Sequence, residues 1–118
     1  MAVAVMVMDR SALTRMLLME TAEIFDCNTC GAENSDEALE KLATMPRLDL
    51  LVTECEVGDV DGLALAEAAR RRFPGVPVLF LGAGAEGGAC SRLAPPCGYL
   101  CKPFTLAEAL ARIRGFLD

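Results

Sequence analysis

Five short apolar runs, each followed by a more mixed stretch, set the rhythm of this chain of 118 residues. The first, Ala2 to Met8, is unbroken and Val-rich and ends at Asp9-Arg10. A run without polar alternation suits a strand covered on both faces. Ser11 then predicts an N-cap for a helix to about Ile24, with Leu13, Leu17 and Ile24 on its buried stripe. Cys27 to Ala32 reads as a second, weaker strand. Asn34 followed by Glu37 forms a capping box for a helix whose buried stripe is Ala38, Leu39 and Leu42, and Pro46 ends it.

Leu48 to Thr53 is the third strand, and Leu63 to Phe73 the third helix, stopped by Pro74-Gly75. Val76 to Leu81 is a fourth continuous apolar strand. From Gly82 to Pro96 the local signal fails under glycines and Pro95-Pro96, so any fourth helix is short, about Ala85 to Leu93. Tyr99 to Cys101 is the fifth strand. Thr105 and Glu108 cap a final helix with Leu106, Leu110, Ile113 and Leu117 at helical spacing. Strands alternating with helices at these lengths imply βαβ units and right-handed crossovers. The expectation is one (βα)5 domain over residues 1–118, a doubly wound α/β sandwich around a parallel sheet.

Composition narrows the function more than the fold. With 53% hydrophobic and 24% charged residues the chain reads as soluble and globular. Its apolar runs are too short to span a bilayer, and neither a basic n-region nor a cleavage site marks a signal peptide. No membrane role and a cytoplasmic location are expected. A formal charge of -6 argues against nucleic-acid binding, and Arg70-Arg71-Arg72 needs no ligand as a solvated helix face.

Six cysteines are many for this length. Cys27 and Cys30 fall within a strand-like run, where residues three apart face opposite ways about 10 Å apart, too far for a disulfide. The chain has no histidine, the usual companion ligand for zinc. The cysteines are read as small apolar residues in a reducing compartment. A thiol-redox or metal-binding domain using Cys27, Cys30 or Cys55 is the lesser alternative.

Gly82-Ala83-Gly84-Ala85-Glu86-Gly87 has the form of a dinucleotide fingerprint, but it stands late in the domain and meets Lys102-Pro103 where an acid is needed. No P-loop motif is present, and Ser11 and Ser91 have no histidine to activate them. What remains is Asp9 after the first strand, Glu54 after the third, Gly82 after the fourth and Lys102 after the fifth. In a parallel sheet all four converge on the C-terminal edge.

At this constellation the chain resembles the receiver domains of two-component response regulators, CheY-like proteins of flavodoxin-like fold. The resemblance spans VMVMDRSALTR, LDLLVTECEVGDVDGL with its Asp61-Gly62-Leu63 step, VPVLFLGA and GYLCKPF. It implies a strand order of 2-1-3-4-5. It also implies a role for each position. Asp9 and Arg10 match two acids that help hold Mg²⁺, so Asp9 is the one retained Mg-site acid. Glu54 matches the phosphoacceptor aspartate, and Glu56 the residue that supplies a carbonyl. Gly82 stands where a serine or threonine follows the phosphoryl group. Lys102 fits the family's lysine, Tyr99 its switch aromatic, and Lys102-Pro103 its typically cis bond.

Those departures set the functional expectation. Asp9 and Glu54 are balanced by Arg10 and Lys102, a net charge near zero where a hard divalent cation needs carboxylates in excess. Arg10 presents a planar fork suited to a carboxylate and cannot deprotonate, so it can take the place of Mg²⁺ and clamp Glu54 or Asp9. Phosphoryl transfer depends on metal neutralisation and positioning. Glu54 reaches about 1.5 Å further than aspartate, which leaves two readings open: a structural ion-pair cluster, or a fixed active-like state. The expectation is a degenerate receiver (pseudo-receiver), not an enzyme, with no resident metal or cofactor. It would act by phosphorylation-independent contact with a protein of a signalling pathway, such as a histidine kinase or an output domain. The partner face would be the short fourth helix, fifth strand and last helix, a possible homodimer surface, with Tyr99 and Pro103 as switch residues. The alternative is a receiver that a histidine kinase still phosphorylates.

Overall fold

The computed structural model describes residues 3–55, 60–83 and 90–117. Five parallel strands form one sheet in the order β2-β1-β3-β4-β5. They are β1 (Ala4–Met8), β2 (Asn28–Ala32), β3 (Leu50–Glu54), β4 (Val78–Gly82) and β5 (Cys97–Cys101). Helices α1 (Ala12–Glu23), α2 (Ser35–Thr44), α3 (Val60–Arg72) and α4 (Leu106–Leu117) connect or follow them, and a single 3-10 turn, Cys90–Arg92, precedes β5. Most of the expected fourth helix, from Ala85, lies outside the described residues; at its end the chain holds only that turn.

Alternation along the strands splits the core in two. Val5, Val7, Leu50, Val52, Leu79, Leu81 and Leu100 face α1 and α4, meeting Leu18, Ala22, Ala109 and Ile113. Met6, Met8, Leu51 and Phe80 face α2 and α3, meeting Ala38, Leu42, Leu65 and Ala66. Central strands covered on both sides explain why their sequences read as continuous apolar runs. Each fully buried Leu, Val or Phe among them contributes about 1.5–3 kcal/mol.

Three caps form as their residue types require. Ser11 Oγ accepts from Thr14 N at 3.2 Å, and Asn34 Oδ1 from Glu37 N at 2.8 Å. Thr105 and Glu108 reciprocate, Thr105 N to Glu108 Oε1 at 3.0 Å and Glu108 N to Thr105 Oγ1 at 3.1 Å, a complete capping box. Asn34–Glu37 is only half of one, because Glu37 turns instead to Lys41 at 3.2 Å.

The stripe expected on α1 is corrected. Leu13 and Ile24 are 73% and 63% exposed, whereas Leu18, Thr21 and Ala22 are buried. The helix carries apolar residues on two sides, and the side with smaller members packs on the sheet. Thr21 can be buried there because its hydroxyl donates to Leu17 O at 2.7 Å, leaving its methyl to pack. Leu39 and Leu106 are likewise exposed rather than buried.

Candidate functional site

Parallel register brings the C-terminal strand ends level: Met8 pairs with Thr53, Glu54 with Leu81, and Gly82 with Cys101. Asp9 continues β1, its amide donating to Ala32 O at 3.1 Å, and Lys102 continues β5, its amide donating to Gly82 O at 2.6 Å. The strand ends thus deliver Asp9, Glu54, Gly82 and Lys102 to one edge.

Asp9 is fully buried. One of its carboxylate oxygens accepts from Ser11 N at 2.8 Å and the other from Lys102 Nζ at 2.7 Å. Lys102 Nζ also reaches Glu54 Oε2 at 3.4 Å, so the ammonium lies between two acids. Glu54 closes β3, its side chain only 12% exposed. Arg10 meets it three times: the backbone N and Nε each reach Oε1 at 3.1 Å, and Nη2 reaches Oε2 at 3.4 Å. Burial pushes the Glu54 carboxyl up. The hydrogen bonds from the Arg10 side chain and amide, with the charges of Lys102 and Arg10, outweigh that and hold it below the usual carboxylate value.

A residue that sequence reasoning missed sets Arg10 in place. Arg15, one turn into α1, donates from Nη1 to Asp9 O at 2.6 Å and to Arg10 O at 3.3 Å. It fixes the backbone from which the Arg10 fork projects. The signal was an arginine five and six residues past two strand-end carbonyls, a spacing that carries no meaning until the strand-to-helix turn is known.

Gly82 is buried, and the space its side chain would fill is taken. A Cβ built there would lie 2.6 Å from Tyr99 Oη, 3.0 Å from the Tyr99 ring and 2.7 Å from Cys55 O. The Tyr99 hydroxyl therefore lies over the glycine, against the α2–α3 core. Pro103 is exposed and follows a cis peptide bond from Lys102. Glu56 lies outside the described residues.

These donors do not suit Mg²⁺, the ion the fold family implies. A hard cation needs several carboxylate or carbonyl oxygens turned toward it. Here all four carboxylate oxygens of Asp9 and Glu54 accept hydrogen bonds, three of them from a guanidinium or an ammonium. Among the described residues no group of three acids, cysteines or histidines is placed to hold a metal.

Residues 5–114 match the family described as the response regulator receiver domain. No curated protein matches the chain in sequence. Among solved structures, a response regulator from Thermotoga maritima is similar at 25% identity and a TM-score of 0.83, covering 99% of this chain and 98% of that one. The chemotaxis response regulator CheY4 of Vibrio cholerae superposes with a TM-score of 0.84 at 20% identity, covering 98% and 99%. A receiver protein from Sinorhizobium medicae gives 0.82 at 24%, covering 98% and 94%. The family match and the strand order agree, and the chain belongs to the receiver domains of two-component response regulators.

Proposed function

We propose that this receiver domain works without phosphorylation, as a protein-interaction module whose former reaction site is a structural ion-pair cluster. The observation that carries this reading is the full occupation of the Asp9 and Glu54 oxygens by Arg10, Lys102 and the Ser11 amide. A phosphoryl donor approaching Glu54 meets a carboxylate already paired on both oxygens, and a cation needed to neutralise it meets Arg10. The domain binds no Mg²⁺ and catalyses nothing. Gly82 offers no hydroxyl to follow a phosphoryl group, and the Tyr99 hydroxyl lies over it.

Its partner is a protein of a two-component pathway, a histidine kinase or an output domain, or a second copy of the chain. It docks on the face formed by the 3-10 turn, β5 and α4, where Tyr99 sits beside the site. The test is incubation with acetyl phosphate and Mg²⁺ read by intact mass. No added phosphate is expected. A Mg²⁺-dependent gain of one phosphate on most molecules would instead mark a receiver still open to a kinase.

A further inference from the structure

Cys90 opens the 3-10 turn and Cys97 opens β5. The Cys97 side chain folds back on the turn that Cys90 begins. Cys97 Sγ also lies 3.3 Å from Cys90 O and 3.7 Å from Leu93 O. Both thiols are half-buried against the α2–α3 core, beside Leu93 and Tyr99. Cys27 and Cys30, the pair the sequence displays as C-x-x-C, instead pack on opposite faces of the sheet.

The backbone between the two cysteines is already drawn into a loop. Leu93 N donates to Cys90 O at 3.3 Å, and Val78 N to Pro96 O at 3.2 Å. Arg70 on α3 donates to Ala94 O at 2.7 Å and Pro96 O at 2.8 Å, while its Nε holds Val76 O at 2.6 Å. The ends of a short ring are therefore brought together by contacts that owe nothing to sulfur. With Cys97 Sγ already 3.3 Å from the carbonyl of Cys90, the two residues are close enough for their sulfurs to meet at about 2.05 Å by side-chain rotation.

We infer that Cys90 and Cys97 are an oxidisable pair, a modification site at which a small-molecule disulfide installs an intramolecular bridge next to Tyr99. The Cys97 thiolate attacks one sulfur of the small disulfide, forming a mixed disulfide and expelling one small thiolate. Cys90 then loses its proton, attacks the Cys97 sulfur and expels the second. The two protein thiols give up two electrons and two protons, and two molecules of small thiol carry them away.

The order of attack follows from the surroundings. Burial, and after it the neighbouring Cys97, push the Cys90 thiol up to about 11, outweighing the opposite pull of the Arg112 charge. A scarce Cys90 thiolate makes Cys90 the poorer first nucleophile, which assigns the first attack to Cys97. Once Cys97 is in a mixed disulfide it can no longer place a negative charge beside Cys90. Cys97 and Tyr99 are two residues apart on β5 and share a side of the sheet. The bridge would tie the 3-10 turn to the strand that carries Tyr99, making this wall of the domain sensitive to redox state whether or not Glu54 is reactive.

The test equilibrates the whole chain with oxidised glutathione under native conditions and counts free thiols. The expected result is a fall from the six cysteines of the chain to four, with the intact mass lower by two hydrogens. Arg92 lies between the partners, so trypsin separates them and the bridge appears as a cross-linked peptide pair. Cys90→Ser and Cys97→Ser should each abolish that pair, and Cys101→Ser, at an exposed position, should keep it. Six thiols retained, glutathione adducts without a cross-link, or a cross-link surviving Cys90→Ser would each overturn the inference. The peptide map of the unsubstituted protein decides the matter even if a serine variant fails to fold.

Discussion

Arg10 holds Glu54 by its side chain and its backbone at once: Nε and the amide N share Oε1 at 3.1 Å, and Nη2 takes Oε2 at 3.4 Å. Because the amide is fixed by the turn into α1, the fork is aimed before the side chain adopts a rotamer. The guanidinium is 63% exposed, so the ion pair itself adds little stability. On the proposed reading, its weight lies in keeping a cation away from Glu54.

Arg10→Asp is accordingly expected to reopen the site to Mg²⁺. Three carboxylates would then face Lys102 alone, the excess of negative charge a hard cation requires. At a Mg²⁺ concentration ten times its dissociation constant, binding stabilises by about 1.4 kcal/mol, or about 5 °C in melting temperature for a domain of this size. Thermal melts with and without Mg²⁺ read this directly, and the unsubstituted protein should show no shift. Equal shifts in both proteins would remove Arg10 from the explanation.

Acid should weaken the fold partly through Glu54. Its folded-state pKa is depressed, so its contribution is present above the unfolded value near 4.5 and is lost as pH falls through the folded value. Urea midpoints measured from pH 7 to pH 3 should drop more steeply for the unsubstituted protein than for Glu54→Gln, whose amide cannot titrate. Parallel profiles would show that Arg10 and Lys102 do not hold the carboxyl down.

Gly82→Ser puts atoms where the Tyr99 hydroxyl already stands. Overpacking of this kind costs about 1–3 kcal/mol. Tyr99 is the one tyrosine in a chain without tryptophan, so intrinsic fluorescence follows its displacement without interference. In combination with Tyr99→Ala the cost should fall below the sum of the two single changes by at least about 0.5 kcal/mol. Rescue stays partial, because Cys55 O is 2.7 Å from the new Cβ as well. Strict additivity would mean that the two residues do not compete for the space.

Much of the scaffold was legible in the sequence because buried parallel strands write themselves as apolar runs, and because Ser11, Asn34 and Thr105 declare helix starts. The meeting of Asp9, Glu54, Gly82 and Lys102 followed from the same pattern, since each stands at a strand's C-terminal end. Packing choices were not legible. The apolar side of α1 bearing Leu13 and Ile24 is turned to solvent, a decision made by how closely Thr21 and Ala22 let the helix approach the sheet. Arg70 looked like a member of a solvated basic cluster, yet it spans from α3 to one carbonyl just before β4 and two just before β5. Nor does the seven-residue spacing of Cys90 and Cys97 reveal a pair, because the loop that joins them is shaped by Arg70.

The contacts of Lys102 carry a consequence for how the molecule comes together. Its partner Asp9 is 93 positions away along the chain and its other partner Glu54 is 48. Contacts across such long loops slow the assembly of a parallel sheet. The ammonium finds its place only after β1, β3 and β5 have been brought into register through the strands between them. The lysine between its two acids is thus a mark of the fully assembled sheet.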